Sequence, residues 1–334
     1  MSTPTSADVA ASLQAFARAE IDSSATVTTA WPMPGNAGLS FGADVITPAS
    51  TVPLVIRLAP PGVRRSGNTD VLRVVPLLQA LAAAGVPVAA VRWAVDDAQW
   101  FGTDAVLQDR LDALPLHMSH AEGSATLGVT EALTQAVDAL ARMHAVPAPE
   151  GWELPRTLPA EIGFWTPLLG KASDPEWAST GTALHDALLA GLPADPDTGI
   201  LHGDFHTNNV LFDAVGRLVA IVDWEISGVG AHLLDLAWLA IFTDPGCWAQ
   251  PHGAGMRVTA DAGWLRERYE QASGRPTDRF DWFRALACFR FGVISVFNVR
   301  LHRTGRRVDA TWEERAESIL PLFRRGLRFL EEEK

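Results

Sequence analysis

Cysteine is almost missing from this chain of 334 residues: only Cys247 and Cys288 occur. Two thiols build no disulfide framework, and reduced, buried cysteines in a cytosolic protein are the plain expectation. An excess of positive charge is missing too. Lysine and arginine number 27 against 39 acidic residues, a formal net charge of −12. Neutralising nucleic-acid phosphates needs basic surface, so that partner class is excluded. The acidic balance suits a cationic small molecule, although net charge says little about the sign inside one cleft. Apolar stretches such as Val86–Val95 are too short, or too broken by Gly, Pro and charge, to cross a bilayer. Met1 to Glu20 has no basic flank ahead of an apolar core and so does not read as a signal peptide. Internal repeats and low-complexity tracts are absent as well. These absences predict a cytoplasmic protein with neither a membrane nor a nucleic-acid partner.

What is present is the material for a large core. The chain is 48% apolar and 20% charged, with a mean hydropathy of +0.09. Its length suffices for two ordinary domains or one large bilobal unit. Val9, Leu13, Phe16 and Ile21 lie near helical spacing, predicting a helix over the first 24 or so residues. Short runs at Ala25–Ala30, Leu39–Thr47 and Val52–Leu58, separated by Pro and Gly, read as an antiparallel sheet. Asn68 to Ala84 reads as a helix that Pro76 either kinks or begins. Val86–Val95 and Ala105–Leu111 read as further strands. Residues 1–111 therefore form a small α+β domain, and 112–334 a second, mostly helical one. In the second, Leu133, Val137, Leu140 and His144 share one helical face. Val146–Pro196 reads as loops around short helices, and Ile200–Trp224 as strands about a turn at Asp213–Gly216. A final helix carries a stripe of Trp312, Ala316, Ile319, Phe323, Leu327 and Leu330.

The chemistry concentrates in one segment, Leu201-His202-Gly203-Asp204-Phe205-His206-Thr207-Asn208-Asn209-Val210-Leu211, followed 14 residues after Asn209 by Asp223-Trp224-Glu225. Asp204 sits on a tight loop ahead of a strand that Asn209 begins, and a returning strand ends at Asp223. A hairpin of this kind brings Asn209 and Asp223 together with Asp204 facing them. Two oxygen donors and a nearby carboxylate suit Mg2+, which takes few protein ligands and leaves positions for nucleotide phosphates and water. Phosphoryl transfer needs such a metal and a group that receives the incoming hydroxyl. On this reading Asp204 is the base, and Asn209 and Asp223 hold the metal.

The segment resembles the catalytic core of the aminoglycoside phosphotransferase family, which includes choline-kinase-like enzymes and has a protein-kinase-like fold. Its H-G-D-x-x-x-x-N element matches His202, Gly203, Asp204 and Asn209, placing His202 beside Asp204 in the catalytic set. Its D-W-E element matches Asp223, Trp224 and Glu225. Asp235, in Asp235-Leu236-Ala237-Trp238, then implies a residue that buttresses the catalytic loop. The resemblance runs from about residue 30 to 245. It implies a bilobal α+β protein that moves the γ-phosphate of ATP or GTP, with Mg2+, to the hydroxyl of a small-molecule substrate. It also implies nucleotide contacts from Arg57 on the third strand, from Ser40 and Gly38 with Gly35 and Gly42 in a phosphate-covering loop, and from backbone around Gln108 to Leu111.

Two departures stand out. The third strand carries Arg57 where most relatives have lysine, and a guanidinium does not occupy a lysine's position atom for atom. The helix position where a partner glutamate is expected holds Val74. Asp70, one turn earlier, reads either as a substitute partner of Arg57 or as a helix cap. These departures keep a nucleotide-binding protein without transfer activity open as an alternative. The acceptor is equally open: an aminoglycoside, or a hydroxylated acyl compound, macrolide, sugar or choline-like alcohol. His206 reads as a metal or acid/base group, or as a side chain bonding the loop backbone.

Overall fold

Thr5 caps the first helix, Ser6–Glu20: its hydroxyl accepts the Asp8 N–H at 3.2 Å, and Asp8 Oδ2 accepts the Thr5 N–H at 2.9 Å. In this computed structural model, which describes residues 3–33, 39–116, 127–194, 196–250 and 252–332, that helix buries Val9, Leu13, Phe16 and Ala17. They meet a six-stranded antiparallel sheet in which Ser40–Ile46, Thr51–Leu58, Ala105–Asp109 and Val91–Val95 are successive neighbours. Side chains alternate between the two faces of a strand. Leu54, Ile56 and Leu58 therefore point into the core with the helix, each burial contributing about 1.5–3 kcal/mol. The intervening residues, Val55 and Arg57, face the other way. Register places Ser40 and Val106 opposite Arg57, and Gln108 opposite Val55. One face of the sheet is thus all core, and the other carries the polar side chains.

The sheet belongs to the first of two compact units, formed by Met1–Ala113, Pro149–Trp152 and Val219–Ile226. Its helix is shorter than the sequence predicts. Gly67–Thr69 forms a single 3-10 turn, and the α-helix runs only from Val75 to Ala83, with Pro76 in its first turn. Proline lacks an N–H and so is tolerated where a helix begins. The strand expected over Val86–Val95 is confined to Val91–Val95, with Val88 making one isolated bridge to Ile221. Gly42 lies inside a strand, where the Trp31 indole packs so closely that a Cβ would come within 2.5 Å of it.

The second unit, Leu114–Ala148, Glu153–Leu218 and Ser227–Lys334, is built round the helix Phe280–Arg303. That helix is long and apolar enough to cross a membrane, yet 78% of its most apolar stretch is buried in the protein. Helices Leu233–Thr243, Leu158–Leu169, Pro175–Ala190 and Ile319–Glu332 pack against it. Two of these lie between 146 and 196, where loops around short helices are expected, and are regular helices of 12 and 16 residues: Thr157 and Asp174 cap them, and proline stands in the first turn of both. The final helix is broken in two, Thr311–Ala316 and Ile319–Glu332. Trp312, Ala316, Ile319 and Phe323 of the expected stripe are buried; Leu322, Gly326 and Phe329 join them, and Leu327 and Leu330 are only half-buried. The α+β class, with an antiparallel sheet first and a helical part after it, is as the sequence implies.

Candidate functional site

Strand Thr198–Leu201 pairs antiparallel with Gly228–Ala231 and delivers the chain to His202. Gly203 then takes φ 83°, a left-handed conformation that favours glycine. The turn is held from behind by Asp235, fully buried in the first turn of helix Leu233–Thr243. Its Oδ2 accepts the His202 N–H at 2.7 Å and its Oδ1 the Gly203 N–H at 2.8 Å. Oδ2 also faces His144 Nε2 at 3.3 Å, and His144 Nδ1 meets the Tyr269 hydroxyl at 2.7 Å. Burial pushes the Asp235 carboxyl up, but the bonds from His144 and the backbone outweigh it and hold it below the ordinary range. With Asp235 ionised, His144 donates from Nε2, and the tyrosine O–H donates to Nδ1.

Asp204 leaves this turn with its side chain about a quarter exposed (26%). Trp238 Nε1–H donates to its Oδ1 at 2.9 Å, and Asn209 Nδ2 donates to its Oδ2 at 3.1 Å and its carbonyl at 2.9 Å. His206 Nε2 stands 3.3 Å from Oδ1, while His206 Nδ1 accepts the Asn208 N–H. His206 thus serves the loop backbone and the carboxylate at once, and its ring stacks on Phe242 at 4.5 Å. Burial pushes the Asp204 carboxyl up; His206, His202 and Arg290 together outweigh it and hold it well below the usual range. His202 is wholly buried, and its Nδ1 accepts the Asp204 N–H at 3.1 Å. Its ring shapes the loop from inside.

Several members of this set carried no motif. Arg290, 1% exposed, lies between the Trp165 and Trp238 rings, with centroids at 4.7 and 4.8 Å. Glu161 Oε1 balances it at 3.5 Å, and Glu161 also accepts from Trp165 Nε1 and Arg156. A charged residue within the mostly apolar stretch 285–297 was the one available signal, and it does not say what the charge meets.

In the first unit, Arg57, Val106, Gln108, Asn68, Asp70, Arg73 and Glu225 line one cavity. Gln108 sits within a central strand, and its amide donates to Ala89 O at 3.2 Å. Leu111 lies beyond that strand's end. Ser40 opposes Arg57 across the ladder. Gly38 and Gly35 lie outside the described residues, and Gly42 is explained by the tryptophan packed on it. Asp70 accepts the Arg73 N–H at 3.2 Å across a turn, and the helix itself begins later, with Val74 at its N-cap, so Asp70 is not the helix cap. Arg57 pairs with Glu225 instead. Asp223 also belongs to this unit and holds φ 67°, a conformation that non-glycine residues seldom adopt. Asp204 and Asn209 belong to the second.

A further buried pair makes the second unit acid-sensitive. The His144 and His232 rings stack at 4.2 Å, and among the described residues both His232 nitrogens lack a hydrogen-bond partner, the Asp197 carboxylate standing 3.6 Å from Nδ1. Burial pushes His144 down, against the pull of Asp235, and pushes His232 down to about 3. The native state therefore refuses protons that the unfolded chain accepts below about pH 6.5. Stability is highest above that value and falls as pH drops toward 3. The unfolding free energy from urea titration should decline from pH 7 to 5, by up to about 1.4 kcal/mol per pH unit for each histidine, and the midpoint with it. His232→Phe should flatten the decline. A midpoint independent of pH over that interval would contradict the assignment.

The sequence profile of the phosphotransferase enzyme family matches residues 36–279. Mouse acyl-CoA dehydrogenase family member 10 is 26% identical over 281 residues, which cover 78% of this chain and 26% of that protein. The chain spans 19% to 26% of the length of the chicken, human and mouse relatives of this kind. A Ralstonia eutropha protein assigned to the aminoglycoside phosphotransferases superposes with a TM-score of 0.75 at 21% identity, covering 97% of this chain and 98% of that one. The AMP-bound spectinomycin phosphotransferase superposes with a TM-score of 0.61 at 13% identity, covering 94% and 97%. With its protein-kinase-like fold and a profile match over most of its length, this chain belongs to the phosphotransferase enzyme family.

Proposed function

We propose that the protein transfers the γ-phosphoryl group of ATP or GTP to the hydroxyl of a small molecule, with Asp204 receiving that hydroxyl. The observation that carries this reading is the fixing of the Asp204 carboxylate by Trp238, Asn209 and His206 on a loop clamped by Asp235. Two of those groups meet Oδ1. Among the described residues Oδ2 takes only the Asn209 amide, which leaves it the atom for an incoming O–H. A carboxylate held below its ordinary range is a weak proton acceptor, so it orients the hydroxyl first and takes its proton late. That suits a loose transition state, in which positioning outweighs base strength.

Asn209 spends its amide N–H groups on Asp204, and this turns its Oδ1 into the remaining donor to a hard cation. Together with the Asp223 carboxylate it supplies the oxygen chemistry that Mg2+ prefers, and the ion when bound would neutralise charge on the phosphates. Arg57 grips phosphate from the sheet, beside Ser40. The AMP-bound neighbour supports a nucleotide donor.

For the acceptor, the charges of Arg290 and Arg315 both reach Asp204. Arg290 is balanced by Glu161, and Arg315 by Asp309 and Glu314, so charge near Asp204 does not select between cationic and neutral acceptors. A hydroxylated acyl compound fits, in line with relatives named for acyl-CoA dehydrogenation. Incubation with Mg2+, ATP or GTP and a panel of hydroxyl compounds should release nucleoside diphosphate with hydroxylated acyl acceptors. Turnover with aminoglycosides alone would overturn the acceptor reading. Metal-dependent nucleotide binding with no turnover on any acceptor would favour a protein that binds without transfer.

A further inference from the structure

The strand that presents Arg57 lacks the usual lysine, and the helix after it lacks the usual glutamate. Val74, at the expected place, is 7% exposed, and the Asp70 carboxylate is committed to the Arg73 backbone. Arg57 is nonetheless paired. Its Nη2 donates to Glu225 Oε1, and the two side chains are only 19% and 22% exposed. Glu225 is itself anchored: Arg73 Nη2 donates to its carbonyl oxygen at 2.9 Å. Arg73 in turn lies over the Trp152 ring at 5.6 Å, and Trp152 Nε1–H donates to the Arg73 carbonyl at 2.7 Å. The carboxylate thus sits on a braced segment, two residues after Asp223.

We propose that Glu225 is the positioning residue for Arg57, doing from the Asp223–Glu225 segment what a helix carboxylate does elsewhere. The inference rests on the phosphotransferase reading above, in which Arg57 grips nucleotide phosphate. An unrestrained arginine samples many rotamers, and a charge-assisted bond to a fixed carboxylate selects one before the ligand arrives. Arginine is suited to this double duty, because its planar fork carries five N–H donors and can turn one nitrogen to a carboxylate and others to phosphate oxygens. The lysine-to-arginine change and the lost helix glutamate then have one cause: the anchoring carboxylate lies in a different direction. Phosphate grip and metal-binding segment are also joined by one ion pair, so disturbing either disturbs both.

The test uses the full chain, with Mg2+ and ADP as probes in titration calorimetry and phenylglyoxal labelling of Arg57 read by peptide mass spectrometry. Glu225→Gln keeps size and removes charge. It should lower Mg–ADP affinity about tenfold and raise the labelling rate of Arg57. Arg57→Ala should weaken binding as much, and the double variant should bind no worse than Arg57→Ala alone. Additive losses would overturn the proposal, since Glu225 would then act on the metal without Arg57. Unchanged affinity and labelling in Glu225→Gln would overturn it too, leaving the kinase reading intact. Failure of the unaltered protein to bind Mg–ADP would instead overturn the nucleotide-donor reading, and the proposal with it.

Discussion

Asp204→Asn should leave the chain folded and able to bind Mg–nucleotide while turnover falls by about 10²-fold or more. The amide matches the carboxylate in size but carries no charge, and one of its atoms becomes a donor. Trp238 and Asn209 both present N–H groups to Asp204, so one contact is lost whichever way the amide turns. That costs about 1–3 kcal/mol of stability, a loss that circular dichroism and urea unfolding would register without global unfolding. The larger effect is chemical, because no carboxylate then meets the acceptor hydroxyl. Single-turnover kinetics at saturating nucleotide separates the two. Asp223→Ala should do the reverse and weaken Mg-dependent nucleotide binding itself. Equal, mild effects of both changes would contradict the roles given to these residues.

The second large effect is expected at Asp235, which is fully buried behind the catalytic turn. Asp235→Ala strips the acceptor from the His202 and Gly203 N–H groups and from His144, all of them buried. Leaving such groups unpaired costs about 3–5 kcal/mol. Urea unfolding at pH 7 should show that loss, and activity should fall with it as the catalytic turn loosens. Asp235→Asn keeps one acceptor oxygen and should fall between the two. A loss below about 1 kcal/mol for the alanine variant would mean that the turn is held by its own backbone.

The loop chemistry was legible because its residues lie close together in sequence. A glycine is needed where φ is positive, the Asp and Asn are a short turn apart, and both Asp204 and Asn209 stand where the spacing predicts. The helix at 129–145 was legible for a similar reason, since its burial follows from one local periodicity. What escaped was contributed by distant segments. Arg290 reaches the neighbourhood of Asp204 from the centre of a long apolar helix, and nothing in its local sequence marks it. Trp238 was visible in a motif, but the bond from its indole N–H to Asp204 was not. The break at Glu317–Ser318 in the final helix escaped too, although Trp312, Ala316, Ile319 and Phe323 are buried as the spacing predicts.

Taken alone, the sequence determined the family, the α+β class and the order of the chemical groups along the chain. These are properties of residue type and short spacing, which local backbone geometry converts directly into turns, strands and faces. Which charge meets which was decided only in three dimensions. Asp70 is the only acid between Leu58 and Val95 in sequence, yet its carboxylate accepts the Arg73 N–H, and Glu225, 168 residues from Arg57, takes the guanidinium. Ion pairing depends on distance and burial, and separation along the chain sets neither.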